Sequence, residues 1–371
     1  MKAFFWLSIL SIVYAYALYP GWLFFRSRLC AHPVHKKPIS PSISIIMAVR
    51  NEEKSLIEKL HNLTTLDYPA DLVEILVVSD GSTDHTNEIL KDSLNSKIRS
   101  IFLDVHCGKA AALNVAVDAA VGEIIVFMDA RQRIDQHSLA SLVENFADAS
   151  VGCVSGALIL GQGEDTSARG VASYWGLEKV IRYWESVSGS TVGATGALYA
   201  ARRCLVARLP TGLILDDVFI PMSVARRGAR VIFEPRALAW DSLLSSPKSE
   251  FRRKVRTLFG NYQLLHLEPW LLTRQNPIRF EFVSHKLCRL AVPFALIGMI
   301  LSSIYIPGFM YKIPLATAIA VGALGALAFV RVPVRIATRI TDLALAFVLL
   351  NTAAIVAFFY FAVGKKRVWA H

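Results

Sequence analysis

Glu74-Ile75-Leu76-Val77-Val78-Ser79-Asp80-Gly81-Ser82-Thr83-Asp84 is the stretch whose reading decides the fold. A short, largely β-branched apolar run breaks into turn-forming residues, the pattern of a strand buried on both faces that delivers polar side chains at its carboxyl end. Residues 44–49 repeat the pattern before Arg50-Asn51-Glu52-Glu53, residues 100–103 give a shorter version, and residues 123–128 end at Asp129. Helical patterns over about 53–65 and an alanine-rich 109–120 separate these runs. Strands alternating with helices predict an α/β domain, a Rossmann-like parallel sheet covered on both faces. Ligands of such sheets bind beyond the carboxyl ends of the strands. Asn51-Glu52, Asp80-Gly81-Ser82 and Asp129 converge on that edge. The chain has neither a Gly-x-Gly-x-x-Gly after the first strand nor a Walker-type Gly-Lys-Ser/Thr, which removes the main support for dinucleotide oxidoreductases and P-loop enzymes.

Outward from this domain, over about 40–245, the composition changes. Hydrophobic residues are 54% of the 371 and charged residues only 19%, and the apolar excess sits at the ends. Residues 3–25 carry no charge and are long enough to cross a bilayer. Ala15-Tyr16-Ala17 has the form of a signal cleavage site, but the apolar run continues through Trp22-Leu23-Phe24-Phe25, so residues 1–26 are expected to be an uncleaved transmembrane anchor. Arg26, Arg28, Lys36 and Lys37 follow, which by the positive-inside rule puts the middle domain in the cytoplasm. Further apolar runs at about 287–306, 312–330 and 341–363 predict about three C-terminal transmembrane helices within 286–364. Arg331, Arg335 and Arg339 argue for a cytoplasmic loop between the last two. Lys365-Lys366-Arg367 conflicts with that count: either one segment is re-entrant or the tail overrides the bias. Residues 251–272, within a 249–280 segment, mix Phe251, Val255, Leu258, Phe259 and Tyr262 with basic residues, as an amphipathic helix at a lipid surface does.

The five cysteines are dispersed, which suits a reducing compartment. The net charge of +11 has a local source in Lys248, Arg252, Arg253, Lys254 and Arg256, a basic face for anionic membrane lipids. No nucleic-acid-binding module accompanies it, and no nucleic-acid partner is expected.

Ala48-Val49-Arg50-Asn51-Glu52-Glu53, Ser79-Asp80-Gly81-Ser82-Thr83-Asp84, Gly108-Lys109-Ala110-Ala111-Ala112-Leu113-Asn114, Asp129-Ala130-Arg131 and Leu215-Asp216-Asp217 stand in an order and spacing that resembles the bacterial family-2 glycosyltransferases, a group that includes cellulose, hyaluronan and poly-N-acetylglucosamine synthases. The resemblance covers about residues 40–265. It implies a GT-A-type nucleotide-sugar-binding domain in a multi-pass protein of the inner (plasma) membrane, with Asp80 against the nucleotide base, Glu52 on the donor and Lys109 near its phosphates. Each of these residues also has a plain structural reading: an Asx turn at Asp80, charge compensation at a helix N-terminus for Glu52, an exposed surface lysine for Lys109. Asp129 fits the first acid of the family's Asp-x-Asp, implying contact with the donor ribose and a divalent metal, Mg²⁺ or Mn²⁺. Arg131 replaces the second acid, so either Asp129 holds the ion with phosphate and water or the guanidinium supplies the charge. Asp217 matches the family's catalytic base. Asp216 beside it repels its charge, burial raises the pKa of either carboxyl, and Asp216 is expected to cap the helix that follows. Thr195-Gly196-Ala197 resembles the acceptor-side wall, or is a strand with a glycine bulge. Arg256 matches the arginine of Gln-x-x-Arg-Trp and would clamp the diphosphate, while Arg253 and Thr257 replace the glutamine and the tryptophan.

The implied activity is inverting transfer of a sugar from a nucleotide-sugar, a UDP-hexose or UDP-N-acetylhexosamine, to a lipid-linked or polysaccharide acceptor in exopolysaccharide or glycolipid synthesis. A processive polysaccharide synthase is the first rival, opposed by the missing tryptophan. An inactive export scaffold is the second, opposed by retention of Asp80, Asp129, Asp217 and Arg256 together.

Overall fold

The computed structural model describes residues 1–93, 98–161, 166–241, 247–328 and 335–364. Arg331 and Lys365-Lys366-Arg367, together with the side chains of Arg335 and Arg339, lie outside the described residues. A first helix runs through α1 (Lys2–Val13), a π turn (Tyr14–Leu18) and α2 (Tyr19–Leu29). The elements of the sheet domain follow as β1 (Ile43–Val49), α3 (Glu53–Thr64), β2 (Val73–Asp80), α4 (Thr86–Asp92), β3 (Ile98–Leu103), α5 (Lys109–Ala119), β4 (Ile124–Met128), β5 (Arg133–Ile134) and α6 (Ser138–Val143). They continue as β6 (Val151–Leu160), α7 (Thr166–Ser188), β7 (Leu198–Arg202), α8 (Asp216–Arg226) and β8 (Arg230–Asp241). The remainder is helical: α9 (Pro247–Leu267), α10 (Arg279–Phe282), a second π turn (Val283–Leu287), α11 (Cys288–Tyr305), α12 (Phe309–Leu327) and α13 (Arg335–Ala362).

Alternate residues of each central strand feed opposite cores, as the two-residue repeat of a strand requires. Ile45, Met47 and Val77 pack with Leu56, Leu60 and Leu142 on one face. Ile46, Leu76 and Val78 pack with Ala112, Leu113 and Ala116 of α5 and with Val218 and Phe219 of α8 on the other. The expected cover on both faces is present, and the four strands read from sequence, β1 to β4, pair in parallel as expected; the later strands make the sheet mixed. The strand order is β3-β2-β1-β4-β7-β6-β8-β5, and β7 runs antiparallel to both β4 and β6. This reversal positions the site. Met128, the last residue of β4, pairs with Leu198, the first of β7, so the residues entering β7 lie beside those leaving β4.

Four helical segments are long and apolar enough to cross a membrane: Lys2–Leu29, Arg279–Tyr305, Phe309–Leu327 and Ile340–Ala362. Gly298 on α11 lets α1 approach closely, since a Cβ there would sit 2.7 Å from the Phe4 ring, the small-residue contact expected where helices pack in lipid. Helix α9, read from sequence as lying on the lipid surface, is packed on both sides. Val255 meets Ala353 and Ala357 of α13, and a Cβ on Gly260 would fall 2.7 Å from the Leu215 side chain, directly before Asp216.

Candidate active site

At the carboxyl ends of β1 and β2 two loops are tied together. Asn51, the only described non-glycine residue with positive φ (54°), accepts the Thr83 N–H at 2.8 Å, and its own N–H donates to Ser82 Oγ at 3.2 Å. Such a conformation persists only where its surroundings hold it. Glu52 stands at the N-terminus of α3. Its N–H donates to Thr86 Oγ1 at 2.9 Å, and its carboxylate accepts the Ser55 hydroxyl at 2.8 Å. Asp80 is buried with both oxygens engaged. Oδ1 accepts the Cys107 N–H at 2.7 Å, and Oδ2 accepts the Gly108 N–H at 2.9 Å and sits 2.7 Å from His106 Nδ1. Asp80 thus anchors the loop leading into α5. Gly81 beneath that loop must be glycine: its φ is +61°, and a Cβ would meet His106 N at 2.5 Å.

Lys109, first in α5, reaches across the sheet edge. Its Nζ lies 2.9 Å from Asp129 Oδ1 and 3.1 Å from Asp216 Oδ1. Although the ammonium is desolvated, the charges of Asp129 and Asp216 raise its pKa above the usual lysine range. Lys109 is therefore not the free surface lysine its position at a helix start allowed. The expected cap at Asp216 is also absent: Leu215 is the N-cap and no side chain caps α8. Asp216 instead accepts the Tyr199 hydroxyl at 3.2 Å and the Lys109 ammonium, because the first turn of α8 is buried against β7. Tyr199 is held by stacking on Phe127, ring centroids 4.4 Å apart and ring planes nearly parallel.

Asp217, next in the chain, places Oδ2 beside Gly196. Burial, reinforced by the charge of Asp216, pushes its carboxyl up to about 6, against the opposing pull of Lys109, Lys286 and Arg182. Gly196 lies between the two acids the sequence singled out. A Cβ on it would be 3.5 Å from Asp129 Oδ2 and 3.5 Å from Asp217 Oδ2, which is the consequence of antiparallel β7. The Ala194 N–H donates to the Asp217 carbonyl at 2.7 Å, so residues 193–196 line the space beside Asp217.

Behind that lining is a buried ionic network that no sequence motif indicated. Glu185 of α7 accepts from the hydroxyls of Tyr19 (2.8 Å) and Thr191 (3.0 Å) and contacts His285 Nδ1 at 2.7 Å. Glu178, two turns earlier, meets His285 Nε2 at 3.0 Å, Arg289 at 2.7 Å and Arg182 at 3.3 Å. Burial alone would raise both carboxyls, but His285, joined at Glu178 by Arg289, holds them below the usual range. The membrane helices are in this way fastened to the loop that carries Gly193 and Gly196. Lys59 is a second residue that sequence reasoning passed over. It sits buried under the Asp129 turn and donates to the Gln132 carbonyl at 2.7 Å, with burial pushing its pKa down to about 7 against the pull of Asp129.

The remaining predicted residues are less engaged. Arg131 is exposed, and the cation bonded to Asp129 is Lys109. Arg256 is exposed on α9, one turn from the Gly260–Leu215 contact. Among the described residues no group of three or more His, Cys, Asp or Glu side chains could hold a metal. Asp129 offers one half-exposed carboxylate with Oδ2 directed away from Lys109, a donor set that fits a Mg²⁺- or Mn²⁺-type ion taking most of its ligands from a diphosphate and water, and does not fit an all-protein cage.

Known proteins resemble this chain in sequence and in fold. Over 259 residues the chain is 25% identical to a poly-beta-1,6-N-acetyl-D-glucosamine synthase of Staphylococcus aureus, a match covering 65% of this chain and 61% of that protein. It is 26% identical over 240 residues to the enzyme of that name from Staphylococcus epidermidis, covering 62% and 56%. The match therefore spans only about three fifths of the length of these relatives. Among solved structures, the mannosyltransferase PcManGT from Pyrobaculum calidifontis, in complex with GDP-Man and Mn²⁺, superposes with a TM-score of 0.76 at 23% identity, over 98% of this chain and 99% of that one, which shows a shared GT-A fold. The Glycosyl transferase family 2 model matches residues 44–201. The Glycosyl transferase family group 2 model matches residues 124–360, well over half of the chain, and the protein belongs to this family of glycosyltransferases.

Proposed function

We propose that the chain is an inverting transferase that moves a hexose or N-acetylhexosamine from a UDP-sugar to a hydroxyl of a membrane-associated saccharide acceptor. The observation that carries this reading is the placement of a half-buried, desolvated carboxyl near pH 6, Asp217, across Gly196 from Asp129. A base poised near neutral pH beside a donor-side acid is what a single displacement needs. Asp217 takes the acceptor hydroxyl's proton as that oxygen bonds to the sugar C1. The C1–O bond to the diphosphate breaks on the opposite face, and UDP departs with the electron pair. Lys109 offsets the charge of Asp129 and Asp216 and faces the departing phosphate. Asp80 acts through the 105–108 loop, Asn51 and Glu52 shape the base pocket, and Arg256 reaches the diphosphate from α9. A divalent ion bound at Asp129 would stabilise charge on that diphosphate. The catalytic domain lies on the cytoplasmic side, following the basic residues after the first span.

Processive polymer synthesis is the second reading, favoured by the names of the staphylococcal relatives. Against it, Thr257 occupies the place of an aromatic platform and bonds back to the Arg253 carbonyl at 3.1 Å.

Purified full chain supplied with UDP-N-acetylglucosamine, UDP-glucose and GDP-mannose should release UDP from one of the first two and show inversion at C1. Release of GDP alone, or no donor turnover with any membrane extract added as acceptor, would end this reading. Product length then separates single addition from polymerisation.

A further inference from the structure

Lys286 occupies a position that donor chemistry does not explain. It lies in the π turn Val283–Leu287, at the seam between catalytic domain and membrane bundle. Phe282, one turn earlier, is buried in the same core as Val218 and Phe219 beside Asp217, while Gly298 further along this span packs against α1. Single π turns inside helices recur at functional sites. Here the turn faces the one at Tyr14–Leu18, with the Tyr14 and Ser284 hydroxyls 2.7 Å apart.

The neighbouring acids are already committed. Glu178 carries His285, Arg182 and Arg289, and Glu185 carries Tyr19, Thr191 and His285. Among the described residues Lys286 forms no ion pair, although it is half-buried and within electrostatic reach of Glu178, the like-charged Arg182, Asp217 and Glu185. An ammonium on a membrane-spanning helix without a committed acid is costly, and such groups mark ligand sites. A partner with a negative charge, approaching from the membrane side, would satisfy it.

We infer that Lys286 binds the phosphate of a lipid-linked acceptor and so sets the acceptor hydroxyl against Asp217. The inference rests on the proposed transferase reading and names its acceptor class: a saccharide joined through phosphate to a membrane lipid. A bilayer phospholipid headgroup or free phosphate would present similar chemistry, and the test must separate these sources.

Full chain in phosphatidylcholine nanodiscs is loaded with radiolabelled farnesyl phosphate, then competed with unlabelled farnesyl phosphate, farnesol, phosphatidylglycerol or inorganic phosphate. UDP affinity is measured on the same sample. The expected result is that farnesyl phosphate competes at least about tenfold better than each of the other three. Lys286→Met should lose about tenfold in farnesyl phosphate affinity with UDP affinity kept, and Lys286→Arg should retain both. Farnesol competing as well as farnesyl phosphate would overturn the inference, as would an unchanged Lys286→Met. Equal competition by phosphatidylglycerol would assign Lys286 to the bilayer headgroups, and equal competition by inorganic phosphate to a soluble anion; each overturns the acceptor assignment. Should Lys286→Met also lose UDP, the wild-type competition and Lys286→Arg decide the matter. Absence of UDP binding in the wild type would instead count against the transferase reading.

Discussion

The proposed function gives the site a donor side and an acceptor side, and the two are built differently. The donor side is assembled from the ends of adjacent parallel strands, and its groups satisfy one another at short range: Asp80 with the 105–108 loop, Asn51 with Thr83, Lys109 with Asp129 and Asp216. The acceptor side gathers segments far apart in the chain, namely α7, the 189–196 loop, the start of α8 and the π turn before α11. Desolvation, reinforced by Asp216, moves the Asp217 pKa upward, while His285, joined at Glu178 by Arg289, holds Glu178 and Glu185 below the usual range against their burial. Under the proposed function, the contrast makes donor recognition a property of local loops, and base strength and acceptor geometry a property of how the apolar helices pack on the sheet. Mutations should divide accordingly, donor-side changes reading out in UDP affinity and acceptor-side changes in turnover.

The sharpest break would come at Asp217. Asn keeps its size but cannot take the proton, so Asp217→Asn should lose about 10²–10⁴-fold in turnover with UDP affinity little changed in calorimetry. Loss of UDP binding instead would place Asp217 on the donor side. Glu185→Gln comes next. It weakens the hold on the 189–196 loop through Thr191 and Val192, and a small misplacement at a reacting centre can cost roughly 10²-fold. Turnover should fall by about that factor while UDP affinity stays; a fall in UDP affinity alone would show that the two sides are not separate.

On the donor side, Asp80→Ala removes the anchor of two backbone N–H groups. UDP affinity should weaken by about 1–3 kcal/mol, and unchanged affinity would show that the 105–108 loop holds without it.

The pH dependence tests the burial of Asp217 itself. Its folded pKa of about 6 lies above the ordinary 3.8, so the native state holds the proton more tightly than the unfolded chain. The resulting stability is fully present below about pH 4 and lost as pH rises through about 6. At pH 7 Asp217→Asn should therefore stabilise the protein by about 1–3 kcal/mol even as it removes activity. In the wild type, kcat/KM should fall as pH drops below about 6. A flat profile, or a destabilised Asn variant, would mean that the acid is not desolvated. The smallest effect is expected at exposed Arg131: Arg131→Ala should change stability by no more than about 0.5 kcal/mol and leave UDP affinity almost unchanged. A large loss of UDP affinity would restore the guanidinium to the phosphate-facing role proposed for Lys109.

Much of the proposed donor side was legible in the sequence because most of its residues end or directly follow the strand that positions them. Strand β1 delivers Asn51 and Glu52, β2 delivers Asp80, and β4 delivers Asp129; direction and short loops are local properties, written in apolar runs and the turn residues that follow them. The apolar spans and the acid pair at 216–217 were legible for the same reason, one from length and composition, the other from motif order. Local pattern could not separate the roles within that pair. Asp216 turned toward Lys109 and Tyr199 rather than capping its helix because β7 and α5 pack there. Nor could it show that β7 reverses and carries Gly196 to Asp129 and Asp217, or that Glu178, Glu185 and His285 meet in one buried network, with Lys286 beside it. Those outcomes join residues up to about a hundred positions apart, and only the packing of the membrane helices on the sheet brings them within reach and removes the water that would otherwise leave their charges independent.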